Sequence, residues 1–153
     1  MPDLVLFQPD IPGNTGTLMR LAACLDFDIH IIQPAGFRLD DINLKRAGMD
    51  YLELTKLVRH THWQAFEDWR IEQQRRLLLL TTKGTKNHVE IEYLEDDLLL
   101  LGRESSGVPE FVHQAADISI LIPMHKKARS INLALSGALV MGEALRQTDK
   151  FPC

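Results

Sequence analysis

Leu98-Leu99-Leu100-Leu101 runs directly into Gly102-Arg103-Glu104-Ser105-Ser106-Gly107-Val108-Pro109, and the reading of this stretch, LLLLGRESSGVP, decides the fold. A strand with one wet face alternates apolar and polar residues, whereas four leucines in a row fit a strand covered on both faces, as in the interior of a parallel sheet. The same LLLL run stands at Leu77 to Leu80. After the second run comes a turn rich in glycine and serine, and two similar turns follow other apolar runs: IPGNTGTLMR from Ile11 to Arg20, and IPMHKKARSINLALSG from Ile122 to Gly137. Glycine lets backbone approach a ligand closely, while Asn, Ser and Arg supply directed hydrogen bonds, so three such turns at strand ends point to one composite pocket.

Working outward, apolar runs alternate with helical patterns. Strands are predicted at Leu4–Gln8, Ile29–Gln33, Glu53–Val58, Arg76–Thr82, Asp97–Leu101 and Ile118–Ile122. Helices are predicted at Thr15–Leu25, Asp41–Ala47, His62–Gln73 and Pro109–Ala115, with Asn14 or Thr15 as an N-cap and Gly48 as a helix stop. The alternation predicts an α/β fold, a mainly parallel sheet with helices on both faces. With 153 residues, 45% hydrophobic and 25% charged, and no linker or repeat, the chain reads as one domain spanning residues 1–153.

The last helix carries a further signal. Ile131, Leu135, Ala138, Leu139, Gly142 and Leu145 recur at helical spacing, but Leu133, Val140 and Met141 lie off that stripe, leaving the helix apolar around much of its circumference. With Ala134, Gly137, Ala138 and Gly142 permitting close approach, the pattern predicts a homodimer seam.

The net charge of −4 argues against indiscriminate binding of polyanions, although Lys45 and Arg46, Arg59 with His60 and His62, Lys83 and Lys86, and Lys126, Lys127 and Arg129 gather near turns. No apolar stretch approaches a membrane span, and MPDLVLFQPDIP lacks the basic start of a signal peptide, so a cytoplasmic location is expected. Cys24 and Cys153 read as reduced thiols, with Cys24 packed in a helix. His60 and His62 form an H-x-H without a third ligand nearby in sequence, and no metal is expected. Trp63, Phe66 and Trp69 share a helix at core spacing. No GxGxxG follows the first strand and no Walker GxxxxGK[ST] is present, so hydride and phosphoryl transfer lose ground.

The three turns, in order and at strand ends, resemble the motifs of the SPOUT RNA methyltransferases. Asn14, Gly16 and Arg20 match the first motif. Gly102, Glu104 and Gly107 match the second, and Ile122, Pro123, Met124, Ser130, Asn132 and Leu133 match the third. HIIQPAGF, RAGMDY and LLLLTTKGT look like the small single-domain tRNA enzymes of the TrmL type, which methylate the 2′-hydroxyl of the wobble nucleotide, a cytidine or modified uridine, in certain leucine tRNAs. The resemblance implies a C-terminal stretch threaded as a deep trefoil knot. It also implies S-adenosyl-L-methionine (AdoMet) as cofactor, S-adenosyl-L-homocysteine as product, the tRNA anticodon stem-loop as partner, and a homodimer.

By position in these motifs, Leu80, Gly102, Ile122 and Ser130 would line the AdoMet cradle. Leu133 would help wall the adenine slot, with Thr81, Glu104 and Ala138 nearby. Arg20 and Asn14 are the catalytic candidates. An arginine stays protonated in nearly any environment, so orientation of the 2′-oxygen and stabilisation of a developing alkoxide is the preferred role for Arg20 over literal proton abstraction. Asn14 would brace the turn or the RNA, and Ser130 and Asn132 would order the third loop. Glu104 would shape its loop by hydrogen bonds. The chain departs from the family pattern where NLALSG replaces the common NLSNAV, at Ala134 and Leu135, and where Gly142 replaces an aromatic residue. A catalytically silent RNA-binding protein on the same scaffold, or methylation of another RNA site, are the alternatives.

Overall fold

In the computed structural model, which describes residues 1–39 and 55–153, the two LLLL runs are neighbouring central strands. The strands are β1 (Asp3–Phe7), β2 (Ile29–Ile32), β3 (Leu57–His60), β4 (Leu77–Leu80), β5 (Lys86–Asn87), β6 (Leu98–Leu101) and β7 (Ile118–Leu121). The described helices are α1 (Pro12–Leu25), α2 (Trp63–Glu72), α3 (Glu110–Ala115) and α4 (Leu133–Thr148). All pairings in the seven-stranded sheet are parallel, in the order β3-β2-β1-β6-β4-β7-β5. The helix predicted at Asp41–Ala47, the stop at Gly48 and the first residues of the strand predicted at Glu53–Val58 lie outside the described residues.

Each leucine run supplies two cores. Leu78, Leu99 and Leu101 face a cluster with Leu18, Met19 and Ala22 of α1 and Val140, Met141 and Leu145 of α4. Leu77, Leu79, Leu98 and Leu100 face the opposite cluster, with Phe66 of α2 and Val112 of α3. Helices therefore cover both faces, which is why neither run alternates. Burying each such side chain contributes on the order of 2 kcal/mol. Trp63 and Trp69 pack against the second cluster beside Phe66, as their spacing predicts.

Four details differ from the sequence expectations. First, α1 starts at Pro12 with Ile11 as its extended N-cap, so neither Asn14 nor Thr15 caps it. Proline's fixed φ already suits the first helical position, and Asn14 is left for another contact. Second, the two-residue strand β5 has no apolar run to announce it and forms by lying beside β7. Third, Cys24 is exposed rather than packed. Fourth, Leu145 is completely buried in this chain's own core, whereas Leu135 and Leu139 are 61% and 48% exposed. Gly137 lies against Leu18 and Leu101, where an added Cβ would come within 2.7 Å of the Leu18 side chain, so its smallness serves packing inside the chain. Open space surrounds Gly142.

The H-x-H pair is engaged in structure. His62 accepts a hydrogen bond from the Ala65 amide and caps α2. His60 is buried against His30 at 2.9 Å, and His30 reaches Asp3, which also holds Arg75. Burial, reinforced by the neighbouring His30, lowers the His60 pKa to about 4, so it is neutral near pH 7. Among the described residues, no helix is long and apolar enough to cross a membrane, and no group of three His, Cys, Asp or Glu is placed to hold a metal.

Candidate cofactor cleft and active site

Because β1, β4, β6 and β7 are parallel, their C-terminal ends lie at one edge of the sheet, and the turns that follow them meet there. The order β2-β1-β6-β4 reverses the direction of winding between β1 and β6. Such switch points are where open α/β sheets bind ligands. A cleft of about 470 Å³ opens at this edge, a size suited to a small molecule. Leu80, Gly102, Ile122, Ser130 and Leu133 all line it, together with Thr81, Glu104 and Asn14. Ala138 is not among the lining residues.

Local backbone chemistry shapes each wall. After β6, Arg103 and Gly107 exchange backbone hydrogen bonds of 2.9 and 2.8 Å, closing a tight loop. Gly107 sits at φ +64°, the left-handed region that favours glycine. A Cβ on Gly102 would approach the Gly107 backbone within 2.8 Å, so any larger residue would spread the loop. After β7, Asn132 caps α4 by accepting from the amides of Ala134 and Leu135 at 2.9 and 3.2 Å. The Asn132 side-chain amide donates to Asn14 Oδ1 at 3.2 Å. The first and third turns are thus joined across the cleft, which explains why Asn14 does not cap its own helix.

Arg20 stands apart from these residues. It is exposed on α1, on the stripe shared with Gly13 and Thr17, and does not line the cleft. Six helical residues separate it from Asn14, a rotation of about 240° at the helical repeat, so the two side chains leave α1 in different directions. The departures in the third turn also lie off the cleft: Ala134 is buried and Leu135 faces outward, while Leu133 and Ser136 are the lining residues.

Sequence reading missed Asp10. Its amide donates to Glu104 Oε2 at 2.9 Å, its carboxylate accepts from the Ser105 hydroxyl, and Arg103 approaches it at 3.6 Å. Glu104 therefore does shape its loop, but it does so by binding the first turn. The signal was present only as an acid two residues before Pro12, which has no meaning until the turns are brought together.

A cleft of small-molecule size where turns meet at the carboxyl edge of a parallel sheet, lined by Leu, Ile, Asn, Ser and Glu side chains, defines the class: an α/β protein with a ligand-sized site at its switch point. The particular family follows from comparison. The chain belongs to the SpoU rRNA methylase family, whose pattern matches residues 2–142. It is 53% identical to the tRNA (cytidine(34)-2'-O)-methyltransferase of Ancylobacter novellus, over 97% of this chain and 94% of that protein. A solved structure concerned with 2-OH methylation of C/U34 on tRNA superposes with a TM-score of 0.93 at 38% identity, covering 97% of each chain. The SpoU methyltransferase AviRb from Streptomyces viridochromogenes, solved with AdoMet, shares the fold at a TM-score of 0.90 and 23% identity, over 97% of this chain and 60% of that one.

Proposed function

We propose that residues 1–153 form one methyltransferase domain that uses AdoMet to methylate the ribose 2′-hydroxyl of the wobble nucleotide, a cytidine or modified uridine, in leucine tRNAs in the cytoplasm. The observation that carries this reading is the meeting of all three motif turns on one cleft, in a chain that is over half identical to a tRNA (cytidine(34)-2'-O)-methyltransferase. The knotted C-terminal path of the wider fold family is part of the proposal.

The lining fits the cofactor. Leu80, Ile122 and Leu133 offer an apolar slot for adenine, and the Gly102–Gly107 loop leaves backbone unobstructed, where a Cβ at Gly102 would force it open. When bound, AdoMet supplies an electrophilic methyl group for in-line displacement. The protein's own contribution is position. Asn14 and Asn132 hold the first and third turns together, and Ser130 presents its polar group to the same cleft. Arg20 supplies a fixed positive charge to the 2′-oxygen or an adjacent phosphate. Calorimetry should find AdoMet and S-adenosyl-L-homocysteine binding the purified protein, and labelled methyl should pass to tRNA. NADH binding tighter than AdoMet would overturn the reading.

The working unit is proposed to be a homodimer. Leu135, Leu139 and the open face at Gly142 form an outward apolar stripe on α4, opposite the face that packs into the core. Leu139→Glu should therefore sediment as a folded monomer at micromolar concentration, whereas the wild type should sediment as a dimer. Leu145 is no test of the seam, because its replacement would damage the core. A monomeric wild type would refute the dimer.

A further inference from the structure

The turns after β1 and β6 are joined by an unusual contact between two acids. The Asp10 amide binds the Glu104 carboxylate, and the two side chains act on each other's protonation. Asp10 Oδ1 and Glu104 Oε1 are buried, and neither has a hydrogen-bond partner among the described residues. Two ionised carboxylates cannot satisfy each other, since both only accept. The remaining bonds all draw the two turns together: Asp10 N–H to Glu104 Oε2, Ser105 O–H to Asp10 Oδ2, and Arg103 beside Asp10. A single proton between the carboxyls would supply the missing donor.

We propose that Glu104 donates one shared proton to Asp10, and that this acid pair clamps the Gly102–Gly107 loop in its cofactor-holding shape, making Asp10 a positioning residue for the cleft. The inference rests on the reading of the cleft as an AdoMet site. Electrostatics place the proton on Glu104. Burial, and then the Asp10 side chain, raise the pKa of Glu104, while the hydrogen bond with Glu104, followed by Ser105 and Arg103, holds Asp10 below the usual carboxylate range. Among the described residues, Arg103 faces the pair, 3.6 Å from Asp10; the turn after β2 presents the backbone of Gly36, where an added Cβ would fall 2.6 Å from Asp10 Cβ and 3.4 Å from Arg103 Nη2.

The sign follows from the raised value. The clamp is intact while Glu104 is protonated and is lost as pH rises through its folded-state pKa, when two like charges face each other. Glutamine at position 104 can still donate to Asp10 but cannot lose that donor, whereas alanine cannot donate at all.

Carboxyl ¹³C NMR titration of the whole, ligand-free protein tests the proton directly. One glutamate γ-carboxyl should titrate above the ordinary range, vanish in Glu104→Gln, and move down toward the ordinary range in Asp10→Asn. An ordinary titration of Glu104 in the wild type would overturn the clamp. Calorimetry with AdoMet tests the positioning. Wild-type affinity should weaken as pH rises through the Glu104 titration. Glu104→Gln should lose that dependence and bind more tightly than Glu104→Ala, and Asp10→Ala should weaken binding on the order of 10-fold. Should Asp10→Ala fail to fold by circular dichroism, Asp10→Leu, which likewise cannot donate or accept, is measured in its place. Wild-type affinity in a folded Asp10 variant, or unchanged pH dependence in Glu104→Gln, would overturn the positioning role. A wild type that binds no AdoMet would overturn the cofactor reading, with the NMR titration still deciding the proton.

Discussion

Arg20→Ala is expected to lower methyl transfer on the order of 10²-fold or more, with AdoMet affinity within a few-fold of the wild type. The unchanged affinity follows from where the side chain stands, and the loss of transfer from its place in the first motif. Arg20 is exposed on α1 and is absent from the cleft lining, so truncating it removes nothing that would touch a small molecule held between Leu80, Gly102 and Leu133. A ribose hydroxyl is a poor nucleophile at neutral pH, and an arginine is a poor base. A fixed guanidinium instead favours the alkoxide character that develops as the oxygen attacks, an interaction stronger in the transition state than in the ground state. The loss should therefore fall on kcat more than on KM for tRNA. Isothermal titration with AdoMet and single-turnover kinetics separate the two effects, and lost cofactor binding would place Arg20 with the cleft residues instead.

Arg20 also marks how far the sequence could be read. Layer architecture was legible because burial on both faces of a parallel sheet leaves a plain trace: Leu77–Leu80 and Leu98–Leu101 do not alternate, and each run divides its side chains between two cores. The cleft was legible because its glycines and polar residues follow apolar runs, and parallel strands bring their ends to one edge. Contacts between turns were not legible. Asn14 binds Asn132 across 118 residues and Asp10 binds Glu104 across 94, separations at which local pattern carries no information. The α4 faces were only partly legible. Helical spacing grouped Leu139 with Leu145, yet three-dimensional packing places Leu145 inside and Leu139 outside, because the angular position of the sheet relative to the helix is not encoded in apolarity alone.

The target atom is tested most sharply by a tRNA carrying a single 2′-deoxyribose at the wobble nucleotide. Such a tRNA is expected to bind nearly as well as the unmodified one and to accept no methyl there. Its phosphates and base edge, which supply most of the affinity and any sequence reading, remain in place, while the nucleophilic oxygen is gone. The loss should be complete, because no other group at that position can take its part in the displacement. Competition offers the control: the deoxy substrate should inhibit methylation of normal tRNA with a constant close to the KM of that tRNA, provided substrate release is fast relative to chemistry. The outcome also separates the three readings of the scaffold. A silent RNA-binding protein would methylate neither tRNA, and an enzyme acting at another RNA site or on a base atom would methylate both. Only attack by the wobble 2′-oxygen gives methylation of one and inhibition by the other.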